Sequence, residues 1–186
     1  MRHRPQTGLI AGPMSRIRRF VVSTAPLAGV LERGPTVSVC FTPGGHCTDA
    51  IVHALGEATR TILVQAYSFT SAPIAKALLD AHTRGVQVQV ILDKSQRTEK
   101  YSSADFLANQ GVPTMIDADH AIAHNKVIII DGELVITGSF NFTKSAQEKN
   151  AENVLIIRDP ALAAEYVKNW DTHRQHSQPY VGRGVR

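Results

Sequence analysis

Lys126-Val127-Ile128-Ile129-Ile130-Asp131-Gly132-Glu133-Leu134-Val135-Ile136 reads as two apolar strands joined by a turn. Asp-Gly between β-branched runs is a strong hairpin signal, because both residues tolerate the left-handed backbone of a tight turn. Upstream, Thr61 to Phe69 (TILVQAYSF) is a near-continuous apolar run, the pattern of a strand covered on both faces. Val86 to Leu92 (VQVQVIL) alternates and is a second strand. Between them Ser71 caps a helix with Pro73 in its first turn and Gly85 at its end, and Ile74, Ala77, Leu78 and Ala81 form its apolar face. Further out, the pattern predicts a strand over Val37 to Phe41, broken by Thr42-Pro43-Gly44-Gly45, and a helix over Asp49 to Arg60 capped by Thr48. Downstream it predicts a helix from Ser102 to Asn109 and short strands at Val112 to Ile116 and Val154 to Ile157. A short helix over Lys144 to Lys149 and a last helix from Pro160 to about His173, with Leu162, Tyr166 and Trp170 inward, complete the set. Strands alternating with helices, then a hairpin, predict an α/β fold: a mixed, mostly parallel sheet sandwiched by helices, one domain per chain.

The chain has 186 residues, 43% hydrophobic and 19% charged, which suits one such domain and excludes a disordered chain. Its net charge of +4 is unevenly placed. Residues 1 to 33 hold six arginines against one acid, and the remainder holds 14 Lys and Arg against 15 Asp and Glu. The basicity belongs to the leader, so it argues only weakly for nucleic-acid binding by the body. Residues 1–34 are set aside as a basic extension, 35–180 as the folded domain and 181–186 as a tail. Arg16-Ile17-Arg18-Arg19 followed by the apolar Phe20 to Leu31 has the order of an export signal, with Met14 as an alternative start. That favours a periplasmic or secreted location; a disordered leader on a cytoplasmic protein is the alternative. Cys40 and Cys47 pair if the protein is exported, and two partly buried thiols are the favoured reading.

His124 and Lys126 are two apart on a strand and share a face, whereas Asp131 falls on the other. Ser139 and Asn141, two apart just after Gly138, share a face if extended, and the hairpin brings the two dyads together. An imidazole, an ammonium, a hydroxyl and a carboxamide suit a phosphodiester. The imidazole attacks or moves protons, and the polar groups meet phosphate oxygens. Gly138 is expected to let substrate approach the backbone. Asp131 is expected to fix the turn. No metal and no cofactor are expected: lysine supplies the positive charge, and His173 and His176 lack supporting ligands.

His-x-Lys-x4-Asp, six residues, then Gly-Ser-x-Asn (His124, Lys126, Asp131, Gly138, Ser139, Asn141) resembles the signature of the phospholipase D superfamily. FTPGG (41–45), ILVQAYSFTSAPIAKAL (62–78), VILDKS (90–95), ADFLANQGV (104–112) and KNAENVLII (149–157) extend the resemblance to its small bacterial endonuclease branch, over roughly 37–180. The resemblance implies that one histidine attacks phosphorus to give a phosphohistidine while a second, protonated, serves the leaving oxygen. The other histidines, at 3, 46, 53, 82, 120, 173 and 176, lack Lys two positions later. The resemblance therefore implies a homodimer with a shared site, His124 coming from each subunit.

It also assigns Lys126, Asn141 and Ser139 to phosphate, Ser139 alternatively to support of the histidine. Glu152 is expected to orient the imidazole, with a plain surface acid as the alternative. Lys94, Arg97 and Lys100 are a solvated loop or, beside such a site, a track for a nucleic-acid backbone. Tyr67 and Ser68 are strand-end residues or line the cleft. The leading expectation is a metal-independent, non-specific endonuclease on DNA, with RNA as a further substrate. Its rivals are a phospholipase or cardiolipin-type hydrolase acting on phospholipid, and a non-catalytic nucleic-acid binder.

Overall fold

The computed structural model describes residues 19–21 and 34–183; the rest of the leader, including Met14 and most of the apolar stretch after it, lies outside the described residues. The elements run β1 (Arg19–Val21), β2 (Thr36–Thr42), α1 (Cys47–Gly56), β3 (Thr61–Ala66), α2 (Ala72–Thr83), β4 (Gln87–Asp93), a 3-10 turn (Lys94–Arg97) and α3 (Ala104–Asn109). Then come β5 (Thr114–Asp117), β6 (Lys126–Ile130), β7 (Leu134–Gly138), α4 (Lys144–Glu148), β8 (Glu152–Arg158), α5 (Pro160–His176) and β9 (Gln178–Pro179). They form one mixed sheet in the order β1-β2-β8-β7-β6-β3-β4-β5-β9. β1 lies in the segment set aside as an extension, yet pairs antiparallel with β2.

The α/β class and the mixed sheet agree with expectation, but the balance of pairings does not. Only β3–β4 and β4–β5 are parallel; every other neighbouring pair is antiparallel. The two parallel pairs follow helical crossovers through α2 and α3, which parallel strands require. After β5 the chain enters β6 through a loop and leaves by the Asp131-Gly132 hairpin, so its direction reverses.

Both faces of the sheet are covered. Ile128, Ile130 and Ile136 pack into the larger core with α1, α2 and α3, and Val127, Ile129 and Val135 pack against α5. The run of isoleucines is apolar on both faces because both are buried. Trp170 is 1% exposed and anchors α5 by donating from Nε1 to the Val64 carbonyl, 3.1 Å away in β3.

α1 starts at Cys47, with His46 at the cap position and not Thr48, and it ends at Gly56, short of the expected Arg60. Asp131 explains the early end. Its Oδ1 accepts from the Arg60 and Thr61 amides at 2.7 and 2.8 Å, and its Oδ2 from the Thr59 amide and hydroxyl at 2.9 and 2.8 Å. These bonds hold residues 59–61 in the approach to β3. Asp131 has a positive φ of 56° and turns its carboxylate away from the His124 face, as expected. Burial raises its pKa, but the bonds from Thr61, Thr59 and Arg60 outweigh that and hold it below the ordinary aspartate value. Asp131→Ala is expected to cost about 2 kcal/mol, a melting temperature lower by roughly 6 °C in a thermal scan at pH 7. A depressed carboxylate stabilises above its unfolded pKa, so the wild type should lose this contribution as pH falls through the folded value. The difference between the two proteins should narrow in acid.

Cys40 and Cys47 form a disulfide, against the favoured reading of two thiols. The turn after β2 returns the chain to the start of α1, which places the two side chains together, a proximity that spacing alone did not decide.

Candidate active site

The polar residues that flank the hairpin gather at one end of the sheet. β3 ends at Ala66, which pairs with Lys126 at the start of β6. β7 ends at Gly138, which pairs with Val154 near the start of β8. β4 ends alongside, so the site lies at the carboxyl end of the parallel pair, where strand ends and loops leave an open rim.

His124 is exposed on the loop entering β6, while Lys126 is 8% exposed. The Lys126 Nζ lies 3.2 and 3.3 Å from the His124 Nδ1 and Nε2, and donates to the His124 carbonyl at 2.8 Å. Tyr67 completes the group. Its ring is 4.7 Å from the imidazole between centroids, and the ammonium stands 5.5 Å from its centroid, within cation–π range. The Tyr67 amide donates to the Asn125 carbonyl at 2.9 Å, which extends the β3–β6 ladder to the site. Tyr67 thus lines the cleft. An aromatic at the end of an apolar run carries no sequence signal that separates this from core packing. Burial pushes the Lys126 ammonium below the ordinary lysine value, and the negative charge of Glu152 opposes the shift.

Ser139 donates to Glu152 Oε2, and Asn150 Nδ2 donates to Glu152 Oε1 at 3.0 Å. The Asn153 amide donates back to the Ser139 hydroxyl at 3.1 Å. Within the chain Glu152 holds Ser139 and makes no hydrogen bond to the His124 of the same chain. The reason is positional: Glu152 opens β8 beside the Gly138-Ser139 bend. Gly138 has a φ of 150°, and a Cβ there would stand 2.2 Å from the Asn153 carbonyl oxygen, so the close approach of β8 requires a glycine. Asn141 follows, its Oδ1 buried without a hydrogen-bond partner, an orphaned acceptor beside the phosphate-suited groups. Phe142 fixes this segment, its carbonyl accepting from the Thr70 and Ser71 amides at 2.9 and 2.8 Å.

The loop before His124 is pinned from β4. Buried Asp93 accepts from the Ala123 amide at 2.8 Å, and Lys94 donates to the His120 carbonyl at 2.9 Å. Lys94, expected to meet substrate, thus braces the loop that carries His124. Arg97 and Lys100 are exposed just beyond. His173 and His176, expected to lack supporting ligands, lie with His120 against buried Asp117, and the four groups come within metal-ligand reach of one another. Among the described residues no helix is long and apolar enough to cross a membrane.

Comparison with known proteins gives a consistent set of relatives. The family model described as the cardiolipin synthase, phospholipase D-like domain matches residues 51–174. The chain is 48% identical to phospholipase D of Rickettsia conorii over 134 residues, 72% of this chain and 67% of that one. It is 32% identical to the mitochondrial cardiolipin hydrolase of Chlamydomonas reinhardtii over 173 residues, 80% of this chain and 78% of that one. The crystal structure of a phospholipase D family member, Nuc from Salmonella typhimurium, matches with a TM-score of 0.76 at 38% identity, covering 78% of this chain and 98% of that one.

Proposed function

Because the chain belongs to the phospholipase D superfamily and is a phosphodiesterase of that family, we propose that it hydrolyses the backbone of DNA, and of RNA as a further substrate, through a phosphohistidine on His124. The observation that carries this is the pairing of an exposed imidazole with a buried ammonium 3.2 to 3.3 Å from its ring. A phosphate seated there meets a nucleophile and a fixed positive charge that is present before the reaction begins. Lys126 and the Asn141 amide bind phosphate oxygens, Glu152 fixes Ser139, and no metal takes part in the chemical step.

One chain supplies one His-x-Lys, so the working unit is a homodimer with the site on its axis. The His124 nitrogen bonds to phosphorus as the bond to the leaving oxygen breaks. That oxygen takes the proton held by the partner subunit's His124. Water then attacks phosphorus, gives its proton to the partner subunit's His124, and the phosphorus–nitrogen bond breaks.

Nucleic acid is favoured by the open rim on which His124 is exposed and by Arg97 and Lys100 after β4, which suit recognition of a phosphate backbone without base reading. The names of the Rickettsia and Chlamydomonas relatives favour a second reading, hydrolysis of phospholipid. Purified protein should be given single-stranded DNA and phosphatidylcholine vesicles in parallel, with EDTA added only at mixing. DNA cleavage at an initial rate unchanged within about twofold by the chelator is the expected result. Head-group release without DNA cleavage would overturn the substrate, and immediate loss of activity would overturn the metal-free step. The Cys40–Cys47 bridge supports an oxidising compartment, periplasmic or extracellular, over the cytoplasm. Fractionation of the native host, with alkylation to count free thiols, tests it.

A further inference from the structure

Asp117 ends β5 with a fully buried side chain. Its Oδ1 accepts from the Asp119 amide at 3.1 Å. Three imidazole nitrogens converge on its Oδ2: His173 Nδ1 at 2.8 Å, His120 Nδ1 at 3.0 Å and His176 Nε2 at 3.3 Å. The ring centroids stand 4.9, 5.2 and 5.4 Å apart, and one ligand atom from each of the four residues lies within 4.8 Å of all the others. One carboxylate oxygen offers about two lone pairs, too few for three N–H donors. A cation among the four groups reverses the requirement, since neutral imidazoles and a carboxylate are all electron-pair donors.

We propose that Asp117, His120, His173 and His176 form a structural site for a divalent ion of the zinc class. Tetrahedral zinc, at about 2.0–2.1 Å from nitrogen and oxygen, spaces its ligand atoms by roughly 3.3–3.4 Å. The contacts to Asp117 need open by only about half an ångström to match that spacing. Four protein ligands fill the coordination sphere and leave no position for substrate, so the site is structural and not catalytic. The side chain of His173 is 13% exposed and that of His120 47%, so the ion enters from the His120 side.

The ligands come as two i, i+3 pairs. Asp117 and His120 bracket the exit from β5, and His173 and His176 share one face at the end of α5. The ion therefore ties α5 to the loop that also bears His124, four residues after His120. Lys94 and Asp93 brace the same loop from β4. The inference stands apart from the phosphodiesterase reading, because the ion acts on loop position and not on phosphate.

The test uses tag-free, full-length protein loaded with zinc, or with cobalt(II), and then desalted. Elemental analysis should find one equivalent of zinc per chain, and the cobalt form should show the intense visible bands of a tetrahedral site. Prolonged EDTA treatment should lower the melting temperature by roughly 10 °C. A His173→Ala/His176→Ala variant should retain less than about a tenth of an equivalent and melt independently of EDTA. If that variant does not fold, the cobalt spectrum of the wild type decides. Metal-free wild type after loading, with melting indifferent to chelator, would overturn the proposal and leave the phosphodiesterase reading untouched. His124→Ala should keep its full equivalent; loss of the ion there would place it at the active site and sink both readings.

Discussion

His124→Ala is expected to lower single-turnover DNA cleavage by about 10⁴-fold or more, because it removes the atom that bonds to phosphorus. The residue is exposed on a loop, so its melting temperature should stay within about 2 °C of wild type. Backbone binding, measured by fluorescence anisotropy on labelled DNA, should be nearly unchanged. Surviving cleavage would remove His124 from the nucleophile's role. The same variant reads out the dimer. If each site needs one histidine from each subunit, an equal mixture of wild type and variant, exchanged to equilibrium, should retain about one quarter of the activity of wild type at the same total concentration. Retention of about one half would mean that each chain works alone.

Lys126→Met is expected to move activity and stability apart. The ammonium is the fixed positive charge of the site, and its removal should cost about 10³-fold in kcat. Methionine keeps much of the side-chain volume and removes a charge from a position that is 8% exposed, so stability should be unchanged or higher. Activity and stability that fell together would mark Lys126 as a packing residue only. The pH profile gives an independent check. Burial pushes the Lys126 pKa below the ordinary lysine value, so the wild-type rate should fall as pH rises through that lowered value, when the ammonium becomes neutral. The variant should lack this alkaline limb.

The sequence made some of this legible and hid the rest for physical reasons. Asp131-Gly132 between apolar runs gave the β6–β7 hairpin, a local property of the chain; His124 was expected on the strand with Lys126 but lies on the loop before β6, and the Lys126 ammonium reaches its ring there. The direction of the strands after β5 was not legible: a loop and a helix both connect strands, and only the helical crossovers enforced parallel pairing. Glu152 was correctly drawn toward the site, but its hydrogen bonds depend on where β8 starts relative to Ser139, a matter of tertiary register. Tyr67 was hidden because an aromatic at a strand end looks alike in core and cleft. The histidine cluster was hidden most completely. Each half is a plain i, i+3 pair, and Asp117 and His173 are 56 positions apart. Only the packing of α5 against the exit from β5 joins them.

The pairing of β2 with β8 also sets a timetable for synthesis. β2 is made early, but Thr42 meets Glu152 and Thr36 meets Arg158, so the strand waits at least 110 residues for this partner. At roughly 5–20 residues per second that interval is about 5–20 s, during which the nascent chain carries an unpaired strand edge. A ribosome stalled before residue 152 would release a polypeptide that holds His124, Lys126, Ser139 and Asn141 but lacks β8 to close that edge. Such a fragment would be a target for chaperones and proteases, so completion of the chain from β8 onward governs whether it survives its own translation.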